Sequence, residues 1–317
     1  MRFYLAPMEG ITGYIYRNAC QEFFPGADGY MTPFITPKPK KGFTSKELND
    51  ILPEHNEGLS IVPQLLTNNA EDFLRAAEVL CEYGYREINL NLGCPSGTVT
   101  AKGKGAGFLG KTQELDAFLY EIFARADYDI SIKTRLGVSD PEEFYELLEI
   151  YNKYPIKELT IHARVLKDYY KNTPHRMVYK KALEDSRAPV CYNGDIFSKE
   201  AYEEFIGECP GTQAVMCARG MIANPGLIRE LKGQERVKKE ELHNFHDRIW
   251  ADYRKIMSGD KNALYKMKEI WIYMQTLFTD SERYIRRIKK AESRAEYESA
   301  VNALFREQEI VNAGLPG

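Results

Sequence analysis

Short apolar runs alternate with longer amphipathic stretches over the first 230 residues of the chain. Eight of these runs predict β-strands, at 3–7, 29–35, 60–66, 87–93, 129–135, 158–163, 189–193 and 214–218. The stretches between them predict helices near 13–24, 70–84, 112–126, 140–153, 176–185, 198–208 and 223–231. Such alternation is typical of parallel strands joined by helical crossovers, and eight units of this size indicate an α/β fold, the (β/α)8 TIM barrel. An open doubly wound sheet uses similar units and is the alternative.

The pattern changes after Gly233. Residues 235–311 read as helical throughout, with few glycines or prolines and many charges. We therefore predict two domains, a TIM-barrel catalytic domain over 1–234 and a small all-α helical bundle domain over 235–317.

Composition places the chain among soluble globular proteins, with 44% hydrophobic and 28% charged residues. The N-terminal segment lacks the apolar region of a signal peptide, and the apolar runs are too short to cross a bilayer. The six cysteines form neither a CxxC pair nor a zinc-spaced cluster, which indicates a reducing compartment. We expect a cytoplasmic monomer without a bound metal. The net charge of −3 is unusual for a nucleic-acid-binding protein.

Residues 105–112 read Gly-Ala-Gly-Phe-Leu-Gly-Lys-Thr, which matches the P-loop pattern GxxxxGK[ST]. A P-loop leaves a strand directly, whereas the preceding predicted strand ends near Gly93, about a dozen residues earlier. We therefore expect a loop, with Thr112 capping the next helix and Glu114 in its first turn. Nucleotide binding by this segment is the alternative.

Polar residues occur where the predicted strands end, which is where the chemistry of a TIM barrel takes place. Asn89 and Asn91 face inward on the fourth strand, and Ser131, Lys133 and Arg135 share one face of the fifth. The other strands end in Gln64, His162, Arg164, Asn193, Asp195 and Arg219. Because the last two loops also contain Gly194 and Gly220, they favour a phosphorylated cofactor.

Lys133 and Cys94 are the most informative of these residues. An inward lysine needs an anionic partner, since burial would otherwise remove its proton, and Gln64, Asn91 and His162 would converge on the same ligand. A solvated rim lysine and a Schiff-base lysine are the alternatives. Cys94 follows a strand in a Gly-Cys-Pro turn, and a thiol with an ordinary pKa of about 8.5 suits a proton donor better than a nucleophile.

In order and spacing these motifs resemble those of the dihydrouridine synthase family. The matching segments are Ala6-Pro7-Met8-Glu9-Gly10-Ile11-Thr12, Gln64, Asn91-Leu92-Gly93-Cys94-Pro95, Lys133-Thr134-Arg135-Leu136-Gly137, Ile161-His162-Ala163-Arg164, Asn193-Gly194-Asp195-Ile196, Arg219-Gly220 and Asn224-Pro225. The helical C-terminal part is also similar to the RNA-binding domain of that family.

The resemblance implies FMN as the cofactor and NADPH as its transient reductant. It implies that Pro7, Met8 and Gln64 line the flavin and that Lys133 faces its N1–O2 edge. The remaining cofactor-binding residues would surround the phosphate end and are His162, Asn193, Gly194, Asp195, Ala218 and Arg219.

The resemblance further implies that the substrate is a uridine in tRNA, which becomes dihydrouridine. A hydride passes from flavin N5 to C6, Cys94 protonates C5, and the base leaves its stack to reach the pocket. The implied substrate-binding residues are Asn91, Lys102, Lys104, Arg135 and Arg164. Further basic residues expected on RNA phosphates are Lys38, Lys40, Lys41, Lys266, Lys268, Arg286, Arg287, Lys289 and Lys290.

The chain departs from the family pattern at Ala163, Asp168 and Ala218, where glycine, glutamine and glycine are usual. We expect Ala218 to add a methyl group near the phosphate and Asp168 to add negative charge near the RNA path. Glu9, in place of a commoner alanine, resembles a branch that acts on the tRNA D-loop. The other functions left open are the same chemistry on ribosomal RNA, an FMN-barrel oxidoreductase acting on a free pyrimidine, and a non-catalytic RNA-binding protein.

Overall fold

The computed structural model describes residues 1–38 and 42–312 of the 317-residue chain, so Lys40 and Lys41 lie outside the described residues. The chain forms two compact units. The barrel unit comprises Met1–Pro7, Asp28–Gly194 and Ile206–Met216, and the helical unit comprises Met8–Ala27, Asp195–Phe205 and the chain from Cys217 onward. The domain boundary near residue 234, which rests on the change of sequence pattern after Gly233, stays a prediction.

Nine parallel strands form one sheet within the described residues, in the order β3-β2-β1-β9-β8-β7-β6-β5-β4. Their bounds are β1 Arg2–Leu5, β2 Gly29–Met31, β3 Ile61–Val62, β4 Gln64–Leu65, β5 Glu87–Leu92, β6 Asp129–Arg135, β7 Leu159–His162, β8 Val190–Asn193 and β9 Ala214–Cys217.

The two shortest strands, β3 and β4, are halves of one strand that is interrupted at Pro63, a residue without an N–H to donate. β3 pairs with β2, whereas β4 pairs with β5. This broken strand therefore stands at both edges of the strand order and closes the sheet. The predicted TIM barrel is confirmed, and the open doubly wound sheet is wrong.

The described residues contain fourteen α-helices. Those of the barrel unit are α2 Ser45–Ile51, α3 Ala70–Glu82, α4 Gly97–Thr100, α5 Thr112–Arg125, α6 Glu143–Tyr151 and α7 Arg176–Asp185. Those of the helical unit are α1 Tyr14–Phe23, α9 Arg219–Ala223, α10 Leu227–Leu231, α11 Lys239–Ile256, α12 Asp260–Met274, α13 Glu282–Lys290 and α14 Arg294–Glu307, while α8 Lys199–Glu208 has residues in both units. None of these helices is both long and apolar enough to span a membrane.

Two of the predicted elements differ locally from the observed ones. The strand predicted at 29–35 stops at Met31 and continues only as a bridge at Ile35, because Pro33 interrupts it. The helix predicted at 223–231 is instead the pair α9 and α10, separated at Pro225.

The short helix α2 has no counterpart in the prediction. Its sequence signal is nevertheless present, because Thr44 accepts a hydrogen bond from the backbone of Glu47 while the Glu47 carboxylate accepts one from the Thr44 backbone. The helix that follows Thr44 has only seven residues. The hydrophobic periodicity is therefore too brief to indicate a helix.

The helical unit has an aromatic core in which Tyr297 is the central hydrogen-bonding residue. The Tyr297 hydroxyl accepts a hydrogen bond from Trp271 Nε1 at 2.9 Å and lies 2.7 Å from His246 Nε2. His246 Nδ1 is 2.9 Å from the Asp247 carboxylate, which can only accept, so Nε2 in turn accepts from the Tyr297 hydroxyl. Burial lowers the pKa of His246 and keeps the ring neutral.

We expect Tyr297→Phe to lower the free energy of unfolding by about 1–3 kcal/mol, because Trp271 Nε1 and His246 Nε2 would both be buried without a partner. Urea denaturation followed by circular dichroism measures this change. Tyr120→Phe is the control, since its side chain is 70% exposed and its loss should change nothing. Equal stabilities of the two variants would contradict the assigned role of Tyr297.

Candidate active site

Polar side chains from neighbouring strands face the barrel interior at the C-terminal ends of the strands. The strand register pairs Asn91 with Lys133, Lys133 with Thr160, and His162 with Asn193. Each pair is brought level by the parallel ladder, so residues far apart in sequence form two successive layers, one with Asn91 and Lys133 and the next with His162 and Asn193. Of the residues predicted to converge beside Lys133, Asn91 and Gln64 are hydrogen-bonded to each other, and His162 lies level with Asn193, which Lys133 contacts.

Four of these side chains form a continuous hydrogen-bonded series, which we call the amide chain. Asn91 Nδ2 donates to Gln64 Oε1 at 2.7 Å, and Gln64 Nε2 donates to Asn89 Oδ1 at 2.8 Å. Asn89 Nδ2 then donates to Ser131 Oγ at 2.9 Å. All four residues are buried, with exposed fractions between 0% and 7%. The series crosses three strands, β4, β5 and β6.

The amide chain ends on the turn that carries Cys94. Asn91 Oδ1 accepts hydrogen bonds from the backbone N–H groups of Cys94, at 2.9 Å, and Gly93, at 3.1 Å. The Cys94 side chain itself is half-buried. The position of the thiol is thus tied to side chains inside the barrel.

Lys133 is the one lysine among these interior residues. Its Nζ donates to Asn193 Oδ1 at 2.8 Å, and the Asn193 amide is held in turn by donation from Nδ2 to the Met216 carbonyl at 2.8 Å. Within the described residues no carboxylate lies within ion-pair distance of Lys133. Burial, reinforced by the charge of Arg135, lowers the pKa of Lys133 to about 8, while the nearby thiols of Cys191 and Cys94 act in the opposite direction.

The surroundings of Lys133 fit an electron-rich ligand such as a flavin ring. Its side chain is partly accessible, its partner in the protein is a neutral amide, and hydrogen-bonding groups of Gln64 and Asn91 lie on adjacent strands. An anionic or electron-rich ligand would supply the charge that this ammonium lacks.

The glycine-rich segment 105–112 packs against the Cys94 turn and does not form a P-loop. Residues Gly105–Phe108 are a 3-10 helix that begins a dozen residues after β5 ends, and Ala106 N–H donates to the Cys94 carbonyl at 3.0 Å. Gly105 has a φ of +56°, and a Cβ atom there would lie 2.7 Å from the Cys94 carbonyl oxygen. Close backbone packing therefore accounts for this glycine.

The end of the same segment also differs from the prediction. Thr112 is the first residue of α5 and Lys111 stands at its N-cap without a side-chain cap, so the predicted capping by Thr112 is wrong. Glu114 does lie in the first turn, as predicted, and pairs with Lys111 at 2.9 Å. The lysine of the apparent P-loop is thus part of a surface ion pair.

Arg135 and Arg164 are buried, each with an exposed fraction of 1%, and both bind backbone carbonyls. Arg135 donates from Nε to Gly93 and from one terminal nitrogen to Val165, each at 2.9 Å. Arg164 Nε donates to the Asn172 carbonyl at 2.6 Å. These arginines join the loops after β5 and β7, and their predicted contact with RNA stays a prediction.

The loop after β7 also carries an exposed aromatic residue that the sequence analysis did not select. The Tyr170 ring stacks on His162 with centroids 6.0 Å apart, and the Arg135 guanidinium lies 5.3 Å from its centre. Tyr170 is 50% exposed. Its sequence signal is weak, because an aromatic residue in a strand-end loop is informative only when the loop conformation is known.

Asp168, which we expected to add negative charge along the RNA path, uses its carboxylate inside this loop. It accepts hydrogen bonds from Val165 N–H at 3.0 Å and from Asn172 Nδ2, and His175 Nε2 lies 3.3 Å away. Burial alone would raise the pKa of Asp168, but these hydrogen bonds hold it below its usual range. Only 7% of the residue is exposed, so its charge is directed inward.

The predicted phosphate-binding residues belong in part to the helical unit. There Arg219 forms an ion pair with Asp195 at 2.5 Å and lies over the Phe197 ring. A Cβ atom on Gly220 would lie 2.1 Å from the Ile196 carbonyl oxygen, so only glycine fits this close approach. Asp195, after β8, and Arg219, after β9, are thus brought together, and half-buried Ala218 directly precedes Arg219.

The remaining predicted site residues are located as follows. Pro7 is half-buried at the end of the first segment of the barrel unit. Met8, in the helical unit, is half-buried and its N–H donates to Thr12 Oγ1 at 2.7 Å. A Cβ atom on Gly194 would lie 2.1 Å from the Tyr192 hydroxyl, which explains the absence of a side chain there. The cofactor contacts of these residues stay predictions.

The predicted RNA-binding lysines differ in how free their ammonium groups are. Lys102 is exposed and Lys104 half-buried, and the Asn68 side chain fixes their loop by donating to the Lys102 and Gly103 carbonyls at 3.1 Å. In the helical unit, Lys266 donates to the Gly10 carbonyl and Lys268 to the Ala291 carbonyl. The exposed basic residues of α13 are Arg283, Arg286, Arg287, Lys289 and Lys290. The buried residues of the same helix are Tyr284, Ile285 and Ile288.

Comparisons with solved structures agree with this architecture. The chain superimposes on the old yellow enzyme from Trypanosoma cruzi with a TM-score of 0.53 and 9% identity, over 76% of this chain and 91% of that one. Histamine dehydrogenase from Rhizobium sp. 4-9 gives a TM-score of 0.55 and 13% identity, over 85% of this chain and 49% of that one. At these identities the likeness concerns the fold alone.

Sequence relatives are more specific. The tRNA-dihydrouridine(16) synthase of Vibrio parahaemolyticus is 27% identical, covering 91% of this chain and 92% of that protein. The probable tRNA-dihydrouridine synthase of Staphylococcus aureus strain COL is 28% identical, covering 85% and 84%. The family profile described as Dihydrouridine synthase (Dus) matches residues 4–313. Because that match spans nearly the whole chain, the protein belongs to the dihydrouridine synthase family.

Proposed function

We propose that this enzyme uses FMN and NADPH to reduce a specific uridine of tRNA to dihydrouridine. The observation that carries the proposal is an interior lysine, Lys133, whose charge interacts with the half-buried thiol of Cys94 in the turn that follows the neighbouring strand β5. Family membership and relatives named as tRNA-dihydrouridine synthases support the substrate.

Lys133, Gln64, His162 and Asn193 would hold the cofactor within the barrel unit. The chemistry that bound FMN supplies is transfer of a hydride to C6 of the uracil ring. Lys133 would stay protonated beside the electron-rich edge of the ring, because negative charge there raises the low pKa that burial imposes. The roles of Pro7 and Met8 toward the flavin ring, and of Asp195, Ala218 and Arg219 toward the phosphate, are carried over from the family resemblance.

Cys94 would protonate C5 of the uracil. Hydride addition at C6 of an enone places negative charge on C5, C4 and O4, and a proton donor held at C5 converts this enolate to the saturated ring. The Cys94 backbone is fixed on both sides, by Asn91 Oδ1 at its N–H and by Ala106 N–H at its carbonyl. This support limits the movement of the thiol relative to the barrel.

Asn91 would recognise the base. Its Oδ1 already accepts two backbone hydrogen bonds, whereas Nδ2 donates only one, to Gln64. A second N–H of Asn91 is therefore available to a carbonyl oxygen, the group that uracil carries at C2 and C4. The base must leave its stack to reach this layer.

The exposed basic face of α13 and the loop of Lys102 and Lys104 would bind RNA phosphates. α13 buries its apolar side against the helical unit and presents five cations to solvent, which suits a polyanion. A free pyrimidine would have no use for this surface, which favours an RNA substrate over the small-molecule alternative.

The proposal is tested by incubating the protein with FMN, NADPH and an unmodified tRNA transcript, followed by nucleoside mass spectrometry. We expect dihydrouridine at one position of the tRNA. The name of the Vibrio relative makes position 16 the first to inspect. Product formed only from ribosomal RNA or from free uracil would overturn the tRNA assignment.

We expect Cys94→Ala to retain FMN and to lose at least about 100-fold in the rate of uridine reduction, because the enolate is no longer protonated by a positioned acid. Single-turnover oxidation of reduced enzyme by tRNA measures the rate. Cys81→Ala is the matched control, a partly accessible cysteine on α3. Undiminished turnover in Cys94→Ala would remove Cys94 from the mechanism.

We expect Lys133→Met to weaken FMN binding and, without FMN, to stabilise the fold. Between pH 8 and 10.5 the unfolded lysine binds more protons than the folded one, so the stability of the native protein rises with pH in that range. Below pH 8 the buried ammonium lowers the free energy of unfolding of the FMN-free protein. At pH 7 the variant should be more stable by up to about 3 kcal/mol. Thermal unfolding of the FMN-free proteins at pH 7 and 10 measures the difference, which should shrink at the higher pH.

We expect reversal of two charges on α13, Arg286→Glu with Lys290→Glu, to weaken tRNA binding about tenfold or more. The slope of log affinity against log salt concentration should fall by the contribution of about two phosphate contacts. The control Lys238→Glu with Lys255→Glu changes the same net charge in the same unit, at lysines that pair with Glu235 and Asp252. Filter binding over a salt series compares them. Equal losses in both double variants would indicate a general charge effect and no specific surface.

A further inference from the structure

We propose that Asn89, with Ser131 as its acceptor, is a positioning residue for this reaction. Asn89 would act through Gln64 and Asn91, holding both amides in the orientation that presents N–H groups to the ligands and that secures the Cys94 turn. The inference rests on the proposed roles of Gln64, Asn91 and Cys94.

The orientation of every amide in the amide chain is fixed by its end at Cys94. The backbone N–H groups of Gly93 and Cys94 can only donate, so the Asn91 atom facing them must be Oδ1. Asn91 Nδ2 then faces Gln64, which must present Oε1 and so directs Nε2 to Asn89. A flip of any one amide would set two donors or two acceptors against each other.

Asn89 is the last amide in this series and closes it. Its Oδ1 accepts a hydrogen bond from Gln64 Nε2, and its Nδ2 donates one to Ser131 Oγ. Asn89 is fully buried and Ser131 is 1% exposed. Both therefore act through other residues, and neither is placed to touch a ligand.

Loss of Asn89 would leave the Gln64 amide without its acceptor in a buried layer. An unpaired buried donor is unfavourable, so Gln64 would rotate to find another partner and would withdraw Oε1 from Asn91. Asn91 would then lose one of the hydrogen bonds that fix its direction. The effect should reach the Cys94 turn, whose two N–H groups depend on Asn91 Oδ1.

The fixed direction also bears on which base is accepted. Asn91 has its oxygen occupied by two backbone donors and keeps one N–H to offer. If this N–H faces C4, the carbonyl oxygen of uracil accepts the hydrogen bond, whereas the amino group that cytosine carries at C4 would oppose it. The amide chain would thus favour uracil over cytosine without touching either.

The test uses the full-length protein with Asn89→Leu and Asn89→Asp. Leucine has a similar size and no acceptor, whereas aspartate still accepts from Gln64 Nε2 and from a rotated Ser131 hydroxyl. The first measurement is the dissociation constant of FMN by fluorescence quenching. The second, made without FMN, is the rate of Cys94 alkylation by iodoacetamide, followed by peptide mass spectrometry.

We expect Asn89→Leu to weaken FMN binding about tenfold and to speed Cys94 alkylation severalfold, because one oriented hydrogen bond and the restraint on the turn are lost. Asn89→Asp should recover most of both. With reduced enzyme, kcat should fall while KM for tRNA stays unchanged, since Asn89 is fully buried and presents no group to RNA phosphates.

Asn56→Leu is the matched control, another buried asparagine of the barrel unit, which donates to the Asp50 and Leu52 carbonyls. It should lower stability without changing either measurement. Wild-type FMN affinity and wild-type alkylation in folded Asn89→Leu would overturn the proposal. If that variant does not fold, Ser131→Ala decides by the same measurements: a smaller change in the same direction supports the proposal and no change overturns it.

These outcomes are separable from the fate of the proposed function. Should Cys94→Ala still produce dihydrouridine, the proton-donor role of Cys94 fails, yet the alkylation rate and FMN affinity of Asn89→Leu still report on the amide chain. Should both measurements change in Asn89→Leu while free uracil proves to be the substrate, the positioning role stands and the tRNA assignment falls.

Discussion

Hydrogen bonding inside a closed barrel is the constraint on which the candidate site depends. A barrel interior excludes water from most polar groups, so each amide and ammonium placed there needs a partner from another strand. The parallel ladder provides these partners by setting Asn91 level with Lys133, and Asn193, two residues further along β8 than that level, is reached by the long Lys133 side chain. After this pairing the charge of Lys133 still lacks an anionic partner, and a ligand can supply one.

The loops above the barrel are held by side chains that look like ligand-binding groups in the sequence. Arg135 donates hydrogen bonds to two backbone carbonyls, and Asp168 accepts hydrogen bonds from donors of its own loop. Both fix the backbone that presents Cys94, His162 and their neighbours. The same residue type can thus serve recognition or support, and burial with named partners distinguishes the two uses.

Much of this arrangement could be predicted from the sequence, because strand positions and inward faces follow from alternation within a few residues. The prediction was least able to find features that depend on distant contacts. Gly105 is explained only by its approach to the Cys94 carbonyl, and no local pattern indicates that α1 packs on α11 in the helical unit, with Phe245 against Tyr16. The alternation predicts that Asn89 faces inward, but its hydrogen bonds to Gln64 and Ser131 can be predicted only when the register of three strands is known.

The interruption at Pro63 has a consequence for the motions of the barrel. The two halves of this strand contribute only two residues each to their ladders, and Pro63 itself has no amide hydrogen to protect. The strand that closes the barrel therefore has only short ladders, and it contains Gln64. Local separation of this short strand from its neighbours would release Gln64, and with it the amide chain, at a lower free-energy cost than global unfolding.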